Sequence, residues 1–454
     1  MEVHPPMKHP NVVYVFSDQH RAEAVGFAGN ADVLTPNLDK LREESVHFAT
    51  AVSTVPVCSP YRASFLTGQF PLTHGVFVND VHLRHDAPSI ADAFRTAGYD
   101  TAYIGKWHVN GRGRSAPIPL SDRQGFEAWK VLECTHDYHH SRYYADDGTR
   151  AMTWPGYDAE AQTQSAIAYL KNRRNHSQPF FLALSWGPPH NPYGTAPERF
   201  QALYRDRAMR LRPNVPEAMR AQAEAELRGY YAHVTALDHG LGELWQALKT
   251  EGLENDTLWV YTSDHGDMLY SQGQVRKQRP WDESIRVPFL LHYPARLGRA
   301  PREVTAPLGS PDIMPTLLAL ADVAVPPSVE GSNWAPHLDG EAPPPGEAAL
   351  IACIHPFGEY ARAQGGREYR GIRTDRYTYV RDLAGPWLLY DNLRDPYQQA
   401  NLVGQPEAAV LQASLEAELR RQLDQRADAF LPGEAYLAQW GYVVDETGTV
   451  PYEA

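Results

Sequence analysis

Residues 11–19 read NVVYVFSDQ, a run of β-branched and aromatic residues that breaks abruptly into serine, aspartate and glutamine. Such a run predicts a β-strand, and its polar end puts Asp18 and Gln19 where that strand stops. Three later runs are built the same way. DTAYIGKWH at 100–108 ends in Lys106 and His108, PFFLALSWGPPH at 179–190 in His190, and DTLWVYTSDHG at 256–266 in Asp264 and His265. Between them lie helical patterns: TPNLDKLREES at 35–45 with Thr35 as N-cap and Pro36 in the first turn, SIADAFRTAGY at 89–99, AEAQTQSAIAYLKNRR at 159–174, and most of 216–249. Strands alternating with helices predict an α/β fold on a large, mostly parallel sheet flanked by helices. Ligands of open α/β sheets bind beyond the carboxyl ends of the strands, so the four polar strand ends are expected to converge there.

Composition narrows the function. A formal charge of −13 excludes a nucleic-acid surface of the usual basic kind, while a small anionic substrate needs only a local cluster of cations. Three cysteines, at 58, 134 and 353, make no disulfide framework and show no zinc spacing. No apolar run is long enough to span a bilayer, and MEVHPPMKHP at 1–10 lacks the apolar centre of a secretory signal. The expectation is a cytoplasmic protein if the sequence is complete, and a periplasmic or secreted one if a leader was removed.

Residues 112–157, rich in Arg, His, Tyr and Trp and weak in periodicity, read as a long loop over the strand ends. LDGEAPPPGEAA marks a boundary near 339–348 and divides the chain into a catalytic α/β domain, 1–340, and a smaller C-terminal α+β subdomain, 341–454. In the latter, REYRGIRTDRYTYVRD and PWLLYDN predict short antiparallel strands and EAAVLQASLEAELRRQLDQRADAF an amphipathic helix.

Cys58 stands out by its neighbours in CSPYRASFLTG at 58–68. Ser59 and Pro60 suit an N-cap and first turn, which would put Cys58 at the positive end of a helix with Arg62 one turn on. Such surroundings favour an anionic nucleophile. The stretch resembles the C-x-P-x-R motif of the formylglycine-dependent sulfatases, in the alkaline-phosphatase-like superfamily. Other stretches match that family in order: NVVYVFSDQHR at 11–21, TPNLDKLREESVHF at 35–48, GKWH at 105–108, PPHNPY at 188–193, SDHGDM at 263–268, GQVRK at 273–277 and the C-terminal IRTDRYTYVRD and LYDNLRDPYQQANL.

The resemblance implies that Cys58 is oxidised to formylglycine, whose hydrated aldehyde is the nucleophile, and that a formylglycine-generating enzyme acts on the chain. It implies one divalent cation held by Asp18, Gln19, Asp264, His265 and the residue derived from Cys58. Ca²⁺ is the leading candidate, with Mg²⁺ and Mn²⁺ the alternatives. Arg62, Lys106 and Lys277 would form a cationic cradle, with His108 breaking down the sulfated diol and His190 serving the leaving group. The expected activity is hydrolysis of an O-sulfate ester, and the overall length and RTDRYTYV favour a small saccharide substrate. The Gln19/His265 pair also resembles phosphonate monoester and phosphodiester hydrolases and choline sulfatases, so a phosphonate or phosphodiester substrate is one alternative. A catalytically silent sugar-binding relative is another. His136, His139 and His140 are expected to be solvated or substrate-facing rather than zinc ligands, and Arg112 and Arg114 are left between sugar contact and loop packing. Cys134 and Cys353 are assigned no role.

Overall fold

A computed structural model describes residues 9–146, 148, 150–173 and 176–452 of the chain. Residues 1–8 of the stretch read for a leader, and Arg174 at the end of the helix expected over 159–174, lie outside the described residues. Among the described residues no helix is long and apolar enough to cross a membrane.

The strand Asn11–Asp18 runs through the middle of a ten-stranded sheet. It pairs in parallel with Thr257–Ser263 on one side and Phe180–Pro189 on the other, and Asp100–Lys106 and Ala128–Leu132 continue the parallel run. The strand alternates as a pleat requires, yet both faces are apolar. Val12, Tyr14 and Phe16 enter one core while Val13 and Val15 enter the other. The helices Asp158–Arg173 and Arg220–Thr250 cover the second face, and Cys58–Thr67, Ile90–Thr96 and Ile313–Leu320 cover the first. On one side Leu290–His292 runs antiparallel to both neighbours, with Val46–Phe48 and Arg302–Val304 paired in parallel beyond it, and the other margin, Arg142–Ala145 with Ala151–Thr153, is antiparallel.

That last hairpin corrects the reading of 112–157 as one long loop. Ala128–Leu132, Arg142–Ala145 and Ala151–Thr153 extend the sheet, and only the connections between them are irregular. Short strands at a sheet margin carry too few residues for a legible period. Thr35 holds the N-cap position and Pro36 opens the helix as expected, though the Thr35 hydroxyl makes no capping bond and instead accepts from Gly26 N and donates to Asp39. One cap differs. The Cys58 helix begins at Cys58 itself, with Val57 in the N-cap position, and Ser59 instead donates to the His108 carbonyl at 2.6 Å.

The Cys58 helix is buried along its whole length and lies against the central strand. Phe65 stacks on Tyr14 with ring centres 4.2 Å apart, and the Tyr61 and Tyr14 hydroxyls are hydrogen-bonded at 2.7 Å. Truncating Phe65 to alanine would cost about 3–5 kcal/mol. The helix ends where Gly68 turns left-handed at φ 65°.

A four-stranded antiparallel sheet, Ala348–Cys353, Tyr369–Thr374, Tyr377–Asp382 and Gly385–Asp391, stands near the C-terminus with the helix Ala409–Gln425 packed on it. Its first strand, within EAALIAC, carries no signal beyond a short apolar run. The last helix, Gly433–Trp440, leads into a segment that folds back over the larger body, where Tyr442 donates to the Gly75 carbonyl at 3.1 Å.

Candidate active site

Register brings the four polar strand ends together. Asp18 pairs with Pro189, one residue before His190; Ser17 pairs with Ser263, one residue before Asp264; and Gly105 pairs with Ser185. Gly105 has φ +108°, and a Cβ there would stand 2.0 Å from the Ser185 carbonyl oxygen. The two strands approach this closely only because that residue has no side chain. Gln19 turns sharply out of its strand at φ 74°, held by Tyr230, whose hydroxyl donates to the Gln19 carbonyl at 2.8 Å and accepts from Arg21 N.

Around the Cys58 sulfur stand His265 Nε2 at 3.4 Å, Lys277 Nζ at 3.5 Å, Asp18 Oδ1 at 3.6 Å and Lys106 Nζ at 3.7 Å. Burial and the Asp18 charge push the Cys58 thiol up, but Lys106, Lys277 and His265 outweigh them and hold it well below the usual thiol range. The position therefore favours an anionic oxygen or sulfur.

One ligand atom from each of Asp18, Cys58, Asp264 and His265 falls within 4.8 Å of the other three, all fully buried. His265 Nδ1 donates to the Gly266 carbonyl at 2.9 Å, which turns Nε2 toward Asp18 Oδ1 and Asp264 Oδ1, each 3.5 Å away. Two carboxylate oxygens and a ring nitrogen converging out of water form a donor set that could hold a cation. Oxygen donors with a single imidazole fit a divalent ion such as Ca²⁺, Mg²⁺ or Mn²⁺. Gln19 stands beside this set. Its Nε2 donates to Asp267 Oδ2 at 2.7 Å and its Oε1 accepts from Lys277 at 3.1 Å, so acid on one side and ammonium on the other settle the amide's orientation.

Arg62 is wholly enclosed. Its Nη2 meets Asp264 at 3.0 Å and Asp18 at 3.4 Å, while Nη1 donates to the Lys106 carbonyl and to Ser185 Oγ, both at 2.7 Å. With its donors turned inward, it braces the two carboxylates. Lys106 Nζ lies 2.6 Å from Asp18 Oδ2. Burial alone would raise the Asp18 pKa, but Lys106, then His190, Lys277 and His265, pull it well below the carboxylate range. Burial and the neighbouring Asp18 together push Asp264 up to about 6.

Two histidines border this cluster. His190 Nε2 lies 2.8 Å from Lys277 Nζ, and its Nδ1 bonds the Asn191 carbonyl at 2.8 Å. His108 adopts φ 61° and bonds Asp80 Oδ1 through Nε2 at 2.9 Å, leaving Nδ1 without a hydrogen-bond partner. Burial pulls the His108 pKa down, but Cys134 and Asp80 outweigh it and raise it to about 10.

The structure thus gathers Asp18, Gln19, Cys58, Arg62, Lys106, His108, His190, Asp264, His265 and Lys277 into one site. The three loop histidines separate: His139 and His140 are exposed, whereas His136 lies flat on His190, with ring centres 4.2 Å apart and planes 6° from parallel. Cys134, assigned no role above, sits 3.9 Å from His136 Nε2; burial pushes its thiol up, but His108 and Lys106 bring it down to about 5. Asp80, Asp267, Tyr193 and Tyr452 were not found by sequence reasoning. The need of a buried imidazole for a partner on its second nitrogen points to some acid near His108, but not to which one.

The chain is also similar to known proteins. The pattern of the family named Sulfatase matches residues 10–323, and that of the N-sulphoglucosamine sulphohydrolase C-terminal region matches 272–425. An ulvan-active sulfatase of Formosa agariphila is 41% identical over 446 residues, spanning 98% of this chain and 87% of that protein. An endo-4-O-sulfatase of Bacteroides thetaiotaomicron is 33% identical over 454 residues, spanning 87% of this chain and 88% of that protein. A solved structure from the glycosaminoglycan metabolism of the same bacterium superposes with a TM-score of 0.85 at 31% identity, covering 95% of this chain and 99% of that one.

Proposed function

The chain belongs to the sulfatase family, and from that premise we propose that it hydrolyses an O-sulfate ester of a small saccharide and releases inorganic sulfate. As a sulfuric ester hydrolase it uses the family's divalent ion and cysteine-derived formylglycine. The observation that carries the reading is the set of groups within 3.7 Å of the Cys58 sulfur, brought by three strand ends and by the Lys277 loop from far apart in the chain.

In this reading Asp18, Asp264, His265 and the residue derived from Cys58 hold the ion, with Gln19 beside them, and Ca²⁺ is the preferred occupant. The ion and the formylglycine supply Lewis acidity and a hydrated aldehyde as nucleophile. Arg62 keeps the two carboxylates in place. Lys106 and Lys277 each present an ammonium at position 58, where they neutralise charge on the sulfuryl oxygens as it develops. Lys277 and His190 form a proton-carrying pair on the side from which the alkoxide departs, and protonating that oxygen is their task. His108, fixed by Asp80, would serve the step that releases sulfate from the nucleophile. The saccharide preference draws on the relatives named for ulvan and for endo-4-O-sulfate cleavage.

The test is direct. The full chain is coexpressed with a formylglycine-generating enzyme, conversion of Cys58 is measured by peptide mass spectrometry, and sulfate release is compared on sulfated saccharides, 4-nitrophenyl sulfate and an aryl phosphonate. Conversion with preferred saccharide-sulfate turnover is expected. Preference for the phosphonate, or full conversion with no sulfate released, would overturn the reading.

A further inference from the structure

The Asp80 carboxylate receives three donors, two from the 108–114 connection and one from the C-terminal segment. His108 Nε2 bonds Oδ1 at 2.9 Å, Arg114 Nη2 lies 3.4 Å from Oδ2, and the Tyr452 hydroxyl donates to Oδ1 in a short hydrogen bond. Arg114 Nε also donates to the Tyr452 oxygen at 2.8 Å, and its guanidinium sits 5.8 Å from that ring's centre. The tyrosine hydroxyl thus accepts from one neighbour and donates to the other, using both of its hydrogen-bonding capacities. Asp80 is 3% exposed and 372 positions before Tyr452.

The segment that delivers Tyr452 is itself tied down. Tyr442 packs on Phe77 with ring centres 5.6 Å apart and bonds the Gly75 carbonyl, Gly358 N donates to the Thr447 carbonyl at 2.9 Å, and Asp445 closes a turn on Thr447 and Thr449. Phe77 lies three residues before Asp80, so the C-terminal segment grips the Asp80 loop at its base and at its functional end.

A buried carboxylate that orients an imidazole does so only while its own rotation is stopped, and each charge-assisted hydrogen bond removes part of that freedom. The His108 carbonyl accepts from Ser59 Oγ at 2.6 Å, next to Cys58 in the chain, so the ring being oriented belongs to the reaction centre. We propose that Tyr452 is a positioning residue of that centre: the C-terminal segment returns to the site and, with Arg114, locks the Asp80 carboxylate that aims the His108 ring. This rests on the reading of His108 given under the proposed function.

Tyr452→Phe removes the hydroxyl but keeps the ring beside Arg114, whereas Tyr452→Ala removes both. With the full-length, matured protein and 4-nitrophenyl sulfate as probe, Tyr452→Phe is expected to lower kcat roughly tenfold with KM little changed. In an Asp80→Asn background the same change is expected to add no further loss, because the lock is already open. Full kcat in Tyr452→Phe with loss only in Tyr452→Ala would reduce the residue to packing, and multiplicative losses in the double variant would uncouple it from Asp80. Either result overturns the proposal. A second readout does not depend on turnover. In protein labelled with ¹⁵N-histidine, the His108 Nε2 proton, assigned with His108→Gln, should move upfield in Tyr452→Phe. An unchanged signal refutes the positioning role even if the enzyme is active. A moved signal in a protein that releases no sulfate upholds the lock and rejects only the proposed reaction.

Discussion

Lys277 donates a hydrogen bond to His190, Nζ to Nε2 at 2.8 Å, while Nδ1 of the same imidazole is occupied by the Asn191 carbonyl. Burial, then the Lys277 charge, holds His190 well below its usual pKa. Burial also pulls Lys277 down, but Cys58 and Asp18 outweigh it and raise it. The shared proton therefore resides on the lysine, and the pair is loaded before substrate arrives.

This loaded pair predicts a dependence on the leaving group. His190→Ala should lower kcat/KM on a saccharide sulfate by about 10²–10³-fold, the range of a lost general acid. On 4-nitrophenyl sulfate the loss should be far smaller, since nitrophenolate departs unprotonated. Equal losses on the two substrates would remove His190 from that role.

Chelation gives a second prediction. Treating the protein with EDTA should lower its melting temperature, and Ca²⁺ at a hundred times its Kd should restore about 2.7 kcal/mol of stability. Asp264→Asn, which removes one of the converging carboxylates, should abolish the Ca²⁺-dependent shift. A variant that still responds in full would place the ion elsewhere.

Asp158 supplies a pH-dependent prediction away from the site. Burial pushes its pKa up to about 7, against hydrogen bonds from Ser141 and Ala159 N, and its Oδ1 has no partner. A raised acid pKa stabilises the fold below the unfolded pKa and loses that contribution as pH rises through the folded one. Between roughly pH 4 and pH 7 the native protein should lose at most a few kcal/mol on this account. Asp158→Asn should therefore gain on the wild type in urea unfolding from pH 5 to pH 8. A constant gap across that range would contradict the assignment.

Gly105→Ala tests the close approach of two strands. The added methyl meets the Ser185 carbonyl oxygen at 2.0 Å and the backbone stays at φ +108°. Clash and strain together should cost at least about 3 kcal/mol, read as a collapse of soluble yield or a fall of many degrees in melting temperature. A variant that melts within a degree of the wild type would show that the strands part without cost.

Much of the site was visible in the linear chain because it is built at strand ends. An apolar run that stops in Asp18, Lys106, His190 or Asp264 announces both the strand and the polar group that the strand carries to the sheet's edge. Cys58 was legible from its helix and from Arg62, although Ser59 was mistaken for the cap it is not. The 112–157 region was less readable. Its three short strands border the sheet, where pairing partners rather than local periodicity decide the conformation. Nor did any local feature separate His136, flat on His190, from the exposed His139 and His140 beside it.

The order of residues by itself determined the α/β class, the family, and which side chains would stand at the strand ends, because each follows from a few adjacent residues. Tertiary structure alone decided who meets whom: the register that sets Asp18 beside Pro189, the inward turn of Arg62 onto two carboxylates, and the arrival of Tyr452 at Asp80. Those pairings join positions tens to hundreds of residues apart. Short-range propensity does not encode them; they are chosen when the whole chain buries its apolar faces and every enclosed charge must find a partner.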